Sequence, residues 1–202
     1  MWVRKTSIII SSVVLMILLV APTDLTAKNK HTRNGWVIGF SLGPGWASFN
    51  NINGESSGTS GGGVGALRFG KVFGSNLLFS AEFDGWVRSE TENGIKAEFT
   101  LFSSALALTY FPGNPETGSG GIYLRGGIGL ASTNVDLSSG NVNVGYTERG
   151  WGFLLAGGYE FRLGKKFALG VGTGLNKLLI NGENFFDNAQ FIPLFLDLNW
   201  YL

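Results

Sequence analysis

The chain has 202 residues, a formal net charge of +1, 32 glycines, 16 phenylalanines and no cysteine. Only 14% of its residues are charged, against about 25% in typical soluble domains, and it is too hydrophobic for a disordered chain. The absence of cysteine excludes disulfides, a thiol nucleophile, a cysteine metal site and a lipoprotein anchor. The length predicts one domain.

The first 27 residues have the pattern of a secretory signal peptide. Arg4 and Lys5 precede an apolar run over residues 8–20, and this run is shorter than the roughly 20 residues that a spanning helix needs. The small residues Thr26 and Ala27 follow. The pattern predicts export and cleavage after Ala27.

The mature chain is predicted to begin with a short tail, residues 28–34, and to continue as one β-barrel domain over residues 35–202. Removal of Arg4, Lys5 and Asp24 with the signal peptide takes the formal charge from +1 to 0 (+1 − 2 + 1). A neutral domain lacks the basic surface that nucleic-acid binding requires. We therefore expect no nucleic-acid partner.

Eight segments of alternating apolar and small or polar residues follow one another, which is the pattern of β-strands with one apolar face. In the first segment, Trp36, Ile38 and Phe40 share a face opposite a row of glycines. In the fourth, the alternation changes phase near Ser103 and Ser104, which predicts a β-bulge. The segments span residues 35–49, 61–72, 77–89, 95–111, 121–133, 149–163, 166–178 and 191–202.

The connections between these segments alternate in length. Tight turns are predicted at 73–76 and 164–166, with a connection of intermediate length at 112–120. The other connections are longer or more polar, and they span residues 50–60, 90–93, 134–148 and 180–190. Tight turns at one end and polar loops at the other are typical of an up-and-down barrel.

The apolar faces are predicted to contact lipid. Each is about nine to eleven residues long, the length that a tilted strand needs to cross a bilayer. No helical segment is available to cover them, and closing the sheet leaves no unpaired edge in hydrocarbon. Aromatic residues near the strand ends predict interfacial girdles. These are Trp36, Trp46, Trp86, Tyr110, Phe111, Tyr123, Trp151, Tyr159, Phe161, Trp200 and Tyr201.

The predicted fold is all-β, an eight-stranded antiparallel up-and-down transmembrane β-barrel. The chain resembles the small outer-membrane barrels of Gram-negative bacteria, of the outer-membrane protein A and X type, over residues 35–202. The resemblance rests on the signal peptide, the strand count, the loop asymmetry and the last strand, "LFLDLNWYL". That class typically ends in Phe, whereas this chain ends in Leu202.

This resemblance implies a location in the cell outer membrane after export through the periplasm. It implies contact with outer-membrane lipid as a monomer, and recognition of the C-terminal strand by the barrel-assembly machinery.

The second face of each strand points into the barrel, and an eight-stranded barrel has an interior just wide enough for side chains to fill. Five charged residues lie at similar heights above the tight turns: Arg68, Glu82, Arg125, Glu160 and Asp197. Because buried charges are costly unless paired, we predict a salt-bridge network that plugs the lumen. The alternative interpretation is a gate or an ion path. A second layer, farther from the tight turns, is predicted from Asp84, Arg88, Lys96, Glu98 and Arg149.

The sequence does not predict an enzyme. Its single histidine, His31, lies in the predicted tail, and the enzymes among the barrels that the chain resembles use a histidine in their sites. A Ser–His or Cys–His arrangement therefore cannot be built within the barrel. We expect no metal, since clustered carboxylates are missing, and no cofactor. In the predicted loop at 180–190, Phe185 and Phe186 are candidates for contact with a partner or with lipid headgroups.

The sequence favours a structural, surface-interaction or adhesion role for a barrel with a plugged lumen. Two alternatives remain open at this point. One is a narrow outer-membrane pore for small or apolar solutes. The other is a soluble periplasmic carrier of the lipocalin kind, in which the apolar faces would point inward.

Overall fold

The structure, a computed structural model, describes residues 33–51, 56–74, 76–112, 121–139, 142–180 and 186–202. These residues form eight β-strands. The strands are β1 (Trp36–Asn51), β2 (Ser56–Phe73), β3 (Leu77–Glu92), β4 (Ile95–Tyr110), β5 (Gly121–Ser139), β6 (Val142–Arg162), β7 (Phe167–Ile180) and β8 (Phe186–Tyr201). The predicted signal peptide and His31 lie outside the described residues.

The eight strands form one closed antiparallel barrel in chain order. Closure is made by β1 and β8, which pair from Val37 with Tyr201 to Asn51 with Phe186. The predicted eight-stranded up-and-down barrel is therefore confirmed. Within the ranges described, no helix has the length and apolar character to cross a membrane.

The apolar face of each strand points outward and the small or polar face points into the lumen. Ile38 is 49% exposed and Leu124 is 57% exposed, whereas their neighbours Val37 and Tyr123 are 0% and 2% exposed. This is the arrangement predicted for a lipid-facing barrel, and it is the reverse of the one that a lipocalin-like carrier needs.

The two ends of the barrel differ. We call one end the lower end; it holds Gly35, Leu202 and the turn between β2 and β3. The upper end holds the β3–β4 turn at Asn93 and Gly94, both with positive φ, and a β5–β6 hairpin that pairs as far as Ser139 with Val142. The prediction of a loop over residues 134–148 was wrong, because polar residues outside the membrane still form a regular ladder.

The predicted bulge near Ser103 and Ser104 was also wrong. β4 pairs without a register shift with both β3 and β5. Leu101 faces the lumen and is fully buried, while Phe102 faces outward. In the upper part of β4 the lumen-facing residues are themselves apolar. The apolar residues therefore change faces along the strand without a bulge.

Four of the predicted girdle aromatics lie inside the barrel instead. Trp86, Phe111, Tyr123 and Tyr201 are all less than 4% exposed. Lumen glycines make room for the large rings: a Cβ on Gly62 would lie 2.6 Å from the Trp86 indole nitrogen. Several other aromatics face outward as predicted, among them Trp36, Trp46, Tyr110, Trp151, Phe161 and Trp200.

Candidate functional site

Four of the five predicted interior charges form a closed square, which we call the lumen square: Arg68, Glu82, Arg125 and Asp197. Arg68 Nε lies 2.8 Å from Glu82 Oε1, and Arg125 Nη1 lies 3.2 Å from Glu82 Oε2. The same arginines approach Asp197, with Arg68 Nη2 at 3.8 Å and Arg125 Nη2 at 3.6 Å. All four side chains are at most 5% exposed, and two positive charges balance two negative charges.

Neutral side chains add hydrogen bonds to this square, although Arg68 Nη2 has no hydrogen-bond partner among the described residues. Asp197 accepts hydrogen bonds from the Ser41 hydroxyl and, at 2.8 Å, from the Tyr123 hydroxyl. Ser80 donates to Glu82 at 2.9 Å, and Arg125 Nε donates to Thr109 at 3.2 Å. Buried charges are tolerated when they are paired and hydrogen-bonded, and these conditions are met here.

Glu160, the fifth predicted charge, lies nearer the lower end in a separate group. Its carboxylate accepts hydrogen bonds from Asn199 Nδ2 at 3.1 Å and from the Tyr201 hydroxyl at 2.8 Å. Arg33 Nε pairs with it at 3.0 Å. Asn199 also accepts from Arg68 at 2.9 Å, so it links Glu160 to the lumen square.

Arg33 is the residue that the sequence analysis missed. It was placed in a tail, yet it is only 8% exposed and its guanidinium lies 3.7 Å from the centre of the Phe111 ring. It precedes the first strand, so the strand periodicity says nothing about it. A lone arginine a few residues before a barrel strand is the only signal that the sequence offered.

The lumen square lies between two apolar clusters. Along β3, Glu82 stands between Leu78 of a lower cluster and Trp86 of an upper cluster. Along β8, Asp197 stands between Tyr201 and Phe195, both of the lower cluster, and Phe191 of the upper cluster lies farther up the strand. The lower cluster consists of Val37, Val72, Leu78, Ala107, Phe111, Tyr123, Leu154, Ala156, Ala168, Phe195 and Tyr201. The upper cluster consists of Ala47, Phe49, Val64, Trp86, Leu101, Ala131, Leu178, Ile180, Ala189 and Phe191.

The predicted second layer of charges does not form. Arg88 pairs with Glu90, and Lys96 pairs with Glu98 at 3.0 Å, in both cases between partly exposed side chains. Arg149 is exposed, and only Asp84 is buried in the lumen. Strand alternation explains this result, because Lys96 and Glu98 share the outward face of Phe102.

Above the barrel, β3 to β6 continue as a four-stranded sheet, which we call the upper sheet. The β2–β3 ladder reaches its upper limit at Gly63 with Val87, and the described β6–β7 ladder at Gly150 with Ile180. Beyond Gly150, β5 and β6 continue through eight more pairs, from Ser132 with Arg149 to Ser139 with Val142. This hairpin therefore extends about 25 Å along its strands.

On β4 to β6, one face of the upper sheet is largely apolar and exposed, whereas on β3 the same face holds Arg88, Glu90 and Glu92. It continues the lumen-facing side of the strands, and Ile95 and Leu137 on it are 48% and 38% exposed. On β6 the same face holds Val142, Val144 and Tyr146, which are 63%, 40% and 43% exposed. The predicted contact residue Phe185 lies outside the described residues, and Phe186 is the first residue of β8.

The described part of the chain offers little for catalysis. Its residues include no histidine and no cysteine. Among them, no group of three or more Asp or Glu side chains is placed to hold a metal ion.

An outward apolar surface, a closed sheet and unequal ends together define a β-barrel that spans a bacterial outer membrane. The lower end, with the tight turns, is then periplasmic, and the upper end is extracellular. The chain belongs to the outer membrane protein beta-barrel domain family, whose model matches residues 11–192. It is accordingly a protein of the cell outer membrane, in contact with lipid.

Two solved structures show the same fold. Ail, the attachment invasion locus protein of Yersinia pestis, is 14% identical with a TM-score of 0.56, over 82% of this chain and 98% of that chain. Neisserial surface protein A is 13% identical with a TM-score of 0.59, over 83% of this chain and 97% of that chain. A comparison with curated proteins finds no match.

Proposed function

We propose that this protein is a closed outer-membrane barrel that presents its upper sheet for contact with other surfaces. The observation that carries the proposal is the exposed apolar face of β4 to β6 in the upper sheet, which includes Leu137, Val142 and Val144. Exposed apolar patches of this kind mark interaction sites, because leaving them in water is unfavourable. Ail, an attachment invasion locus protein, has the same fold and supports this role by analogy alone.

The lumen square supports the closed-barrel part of this proposal. Arg68, Glu82, Arg125 and Asp197 join side chains from β2, β3, β5 and β8 across the interior. Apolar clusters lie on both sides of them. An ion crossing the lumen would have to break these pairs and pass two apolar layers, so we favour a plug over the narrow pore.

The remaining parts of the proposal concern assembly and chemistry. We infer that the barrel is a monomer, that its last strand is read by the barrel-assembly machinery, and that it has no catalytic activity. The last strand supports recognition because its lipid-facing residues alternate through Leu194, Leu196, Leu198 and Trp200.

The contact role is tested by attachment of cells to polystyrene, a surface that reports exposed apolar groups. Cells that display the wild-type protein are expected to attach several-fold more than cells that display the double variant Leu137→Ser, Val144→Ser. The matched control is Asn134→Ser, Asn143→Ser, on the opposite face of the same hairpin, which should attach like the wild type. Equal attachment of all three strains at equal surface amounts would contradict the contact role.

A further inference from the structure

Asp84 is a buried carboxylate that takes no part in the lumen square. It is 7% exposed and points into the lumen on the same face of β3 as Glu82, two residues above it. Its Oδ2 atom has no hydrogen-bond partner among the described residues. A buried polar atom in this condition calls for an explanation, and a bound ion or water is one such explanation.

Ser103 is the second such group, and it lies directly opposite. Asp84 and Ser103 are register partners on β3 and β4. Ser103 is 1% exposed, and within the described chain its hydroxyl has no hydrogen-bond partner either. Gly152 leaves room for the hydroxyl itself, because a Cβ there would lie 2.7 Å from Ser103 Oγ.

The charges around Asp84 do not balance. The charged groups that act on it are Glu82 of its own strand, Arg68 of β2, Arg125 of β5 and Asp197 of β8. Both arginines are already paired with Glu82 and Asp197. With Asp84 ionised, the sum is two positive and three negative charges (+2 − 3 = −1), so one positive charge, either a bound cation or a proton on Asp84, is needed to balance it.

We propose that Asp84 and Ser103 form a buried binding site for one small monovalent cation, such as Na⁺, above the lumen square. A carboxylate and a hydroxyl supply the oxygen ligands that hard cations prefer. With Asp84 ionised, a single positive charge restores neutrality in this part of the lumen. A divalent ion would leave one excess positive charge. The cation lies between the lumen square and the upper cluster, so it enters when the barrel folds.

The site is tested by urea unfolding of the mature protein in lipid vesicles. The same protein is unfolded in NaCl and in N-methylglucamine chloride at equal ionic strength, because the larger cation cannot enter the site. With a dissociation constant of about 10 mM, about 100 mM Na⁺ lowers the unfolding equilibrium constant about 11-fold. Asp84→Asn is expected to abolish this difference between the two salts. The control Asp136→Asn, which changes an exposed carboxylate of the upper sheet, is expected to keep it.

Two results would overturn the proposal. One is a wild-type protein with equal unfolding constants in both salts, which would mean that Asp84 holds a proton or water. The other is an Asp84→Asn variant that keeps the full difference, which would place the Na⁺ effect elsewhere. If Asp84→Asn does not fold, Ser103→Ala serves in its place and should reduce the difference. Crystals grown with Tl⁺ should then show an anomalous peak between Asp84 and Ser103, and a peak elsewhere would also refute the site.

Discussion

At the scale of single residues, the position of a charge in the barrel decides what it contributes. Arg125 and Arg88 both pair with carboxylates, but at different depths. Arg125 is 5% exposed and holds two buried carboxylates, whereas Arg88 is 32% exposed and pairs with one exposed glutamate. Removing one member of a buried pair leaves an uncompensated charge, while an exposed pair exchanges its partner for water.

Arg125→Met is therefore expected to destabilise the barrel by about 3–5 kcal/mol. The matched control, Arg88→Met, should cost at most about 1 kcal/mol. Urea unfolding followed by tryptophan fluorescence measures both. An unchanged midpoint for Arg125→Met would show that the lumen square does not hold the barrel together.

A double variant separates charge from packing at the same site. Adding Glu82→Gln to Arg125→Met changes a carboxylate that has already lost one of its two arginine partners, so the second change should cost less than it does in the wild-type background. Strict additivity of the two free-energy changes would mean that Arg125 acts through packing alone.

At the scale of elements, the hairpins above the barrel depend on their turns more than on burial. The β3–β4 turn has Asn93 at φ 50° and Gly94 at φ 79°. Two successive residues with positive φ match the right-handed twist of the flanking strands. A two-residue turn with this sequence also fixes the register of the β3–β4 ladder, from Glu92 with Ile95 down to Leu77 with Tyr110.

Gly94→Ala is expected to destabilise the protein by about 1–2 kcal/mol, because an L-residue with a Cβ is strained in the left-handed region. Gly63→Ala is the control, since Gly63 lies within β2 with open space around its added Cβ, and should change stability by less than about 0.5 kcal/mol. Urea midpoints in the same vesicles compare the two. A larger loss for Gly63→Ala would show that the outward glycines of β2, and not the turn, limit stability.

At the scale of the whole molecule, closure and filling of the lumen act together. β1 and β8 pair along their length, so the barrel leaves no open edge in the hydrocarbon. The same closure brings side chains from every strand into one narrow interior, where Trp86, Tyr123 and Phe191 are less than 3% exposed. This filling of the lumen supports the proposed plug over a water-filled channel.

The purified protein is therefore expected to produce no ion current in planar bilayers above that of a heat-unfolded sample from the same preparation. Single-channel recording over both voltage polarities is the measurement. Regular current steps that require folded protein would refute the plug and favour the narrow pore, while leaving the fold and the membrane location unchanged.

The sequence by itself determined the number of strands, the lipid-facing side of most of them and the closed fold. Alternation of side chains is a local property of extended chain, so Trp36, Ile38 and Phe40 identify a lipid-facing row without any knowledge of their neighbours. The sequence also indicated that Arg68, Glu82, Arg125 and Asp197 lie at similar heights in the barrel, because height follows from counting residues along each strand from its tight-turn end.

Only the tertiary structure decided which of these residues touch. It separated Glu160 from the lumen square, brought Arg33 into the lower end of the lumen, and left Asp84 outside the pairs. It also made room for the Trp86 ring in the lumen, because Gly62 of the neighbouring strand lies against that ring. Such contacts depend on the stagger between strands and on barrel closure, which join residues far apart in the chain, and no local pattern records them.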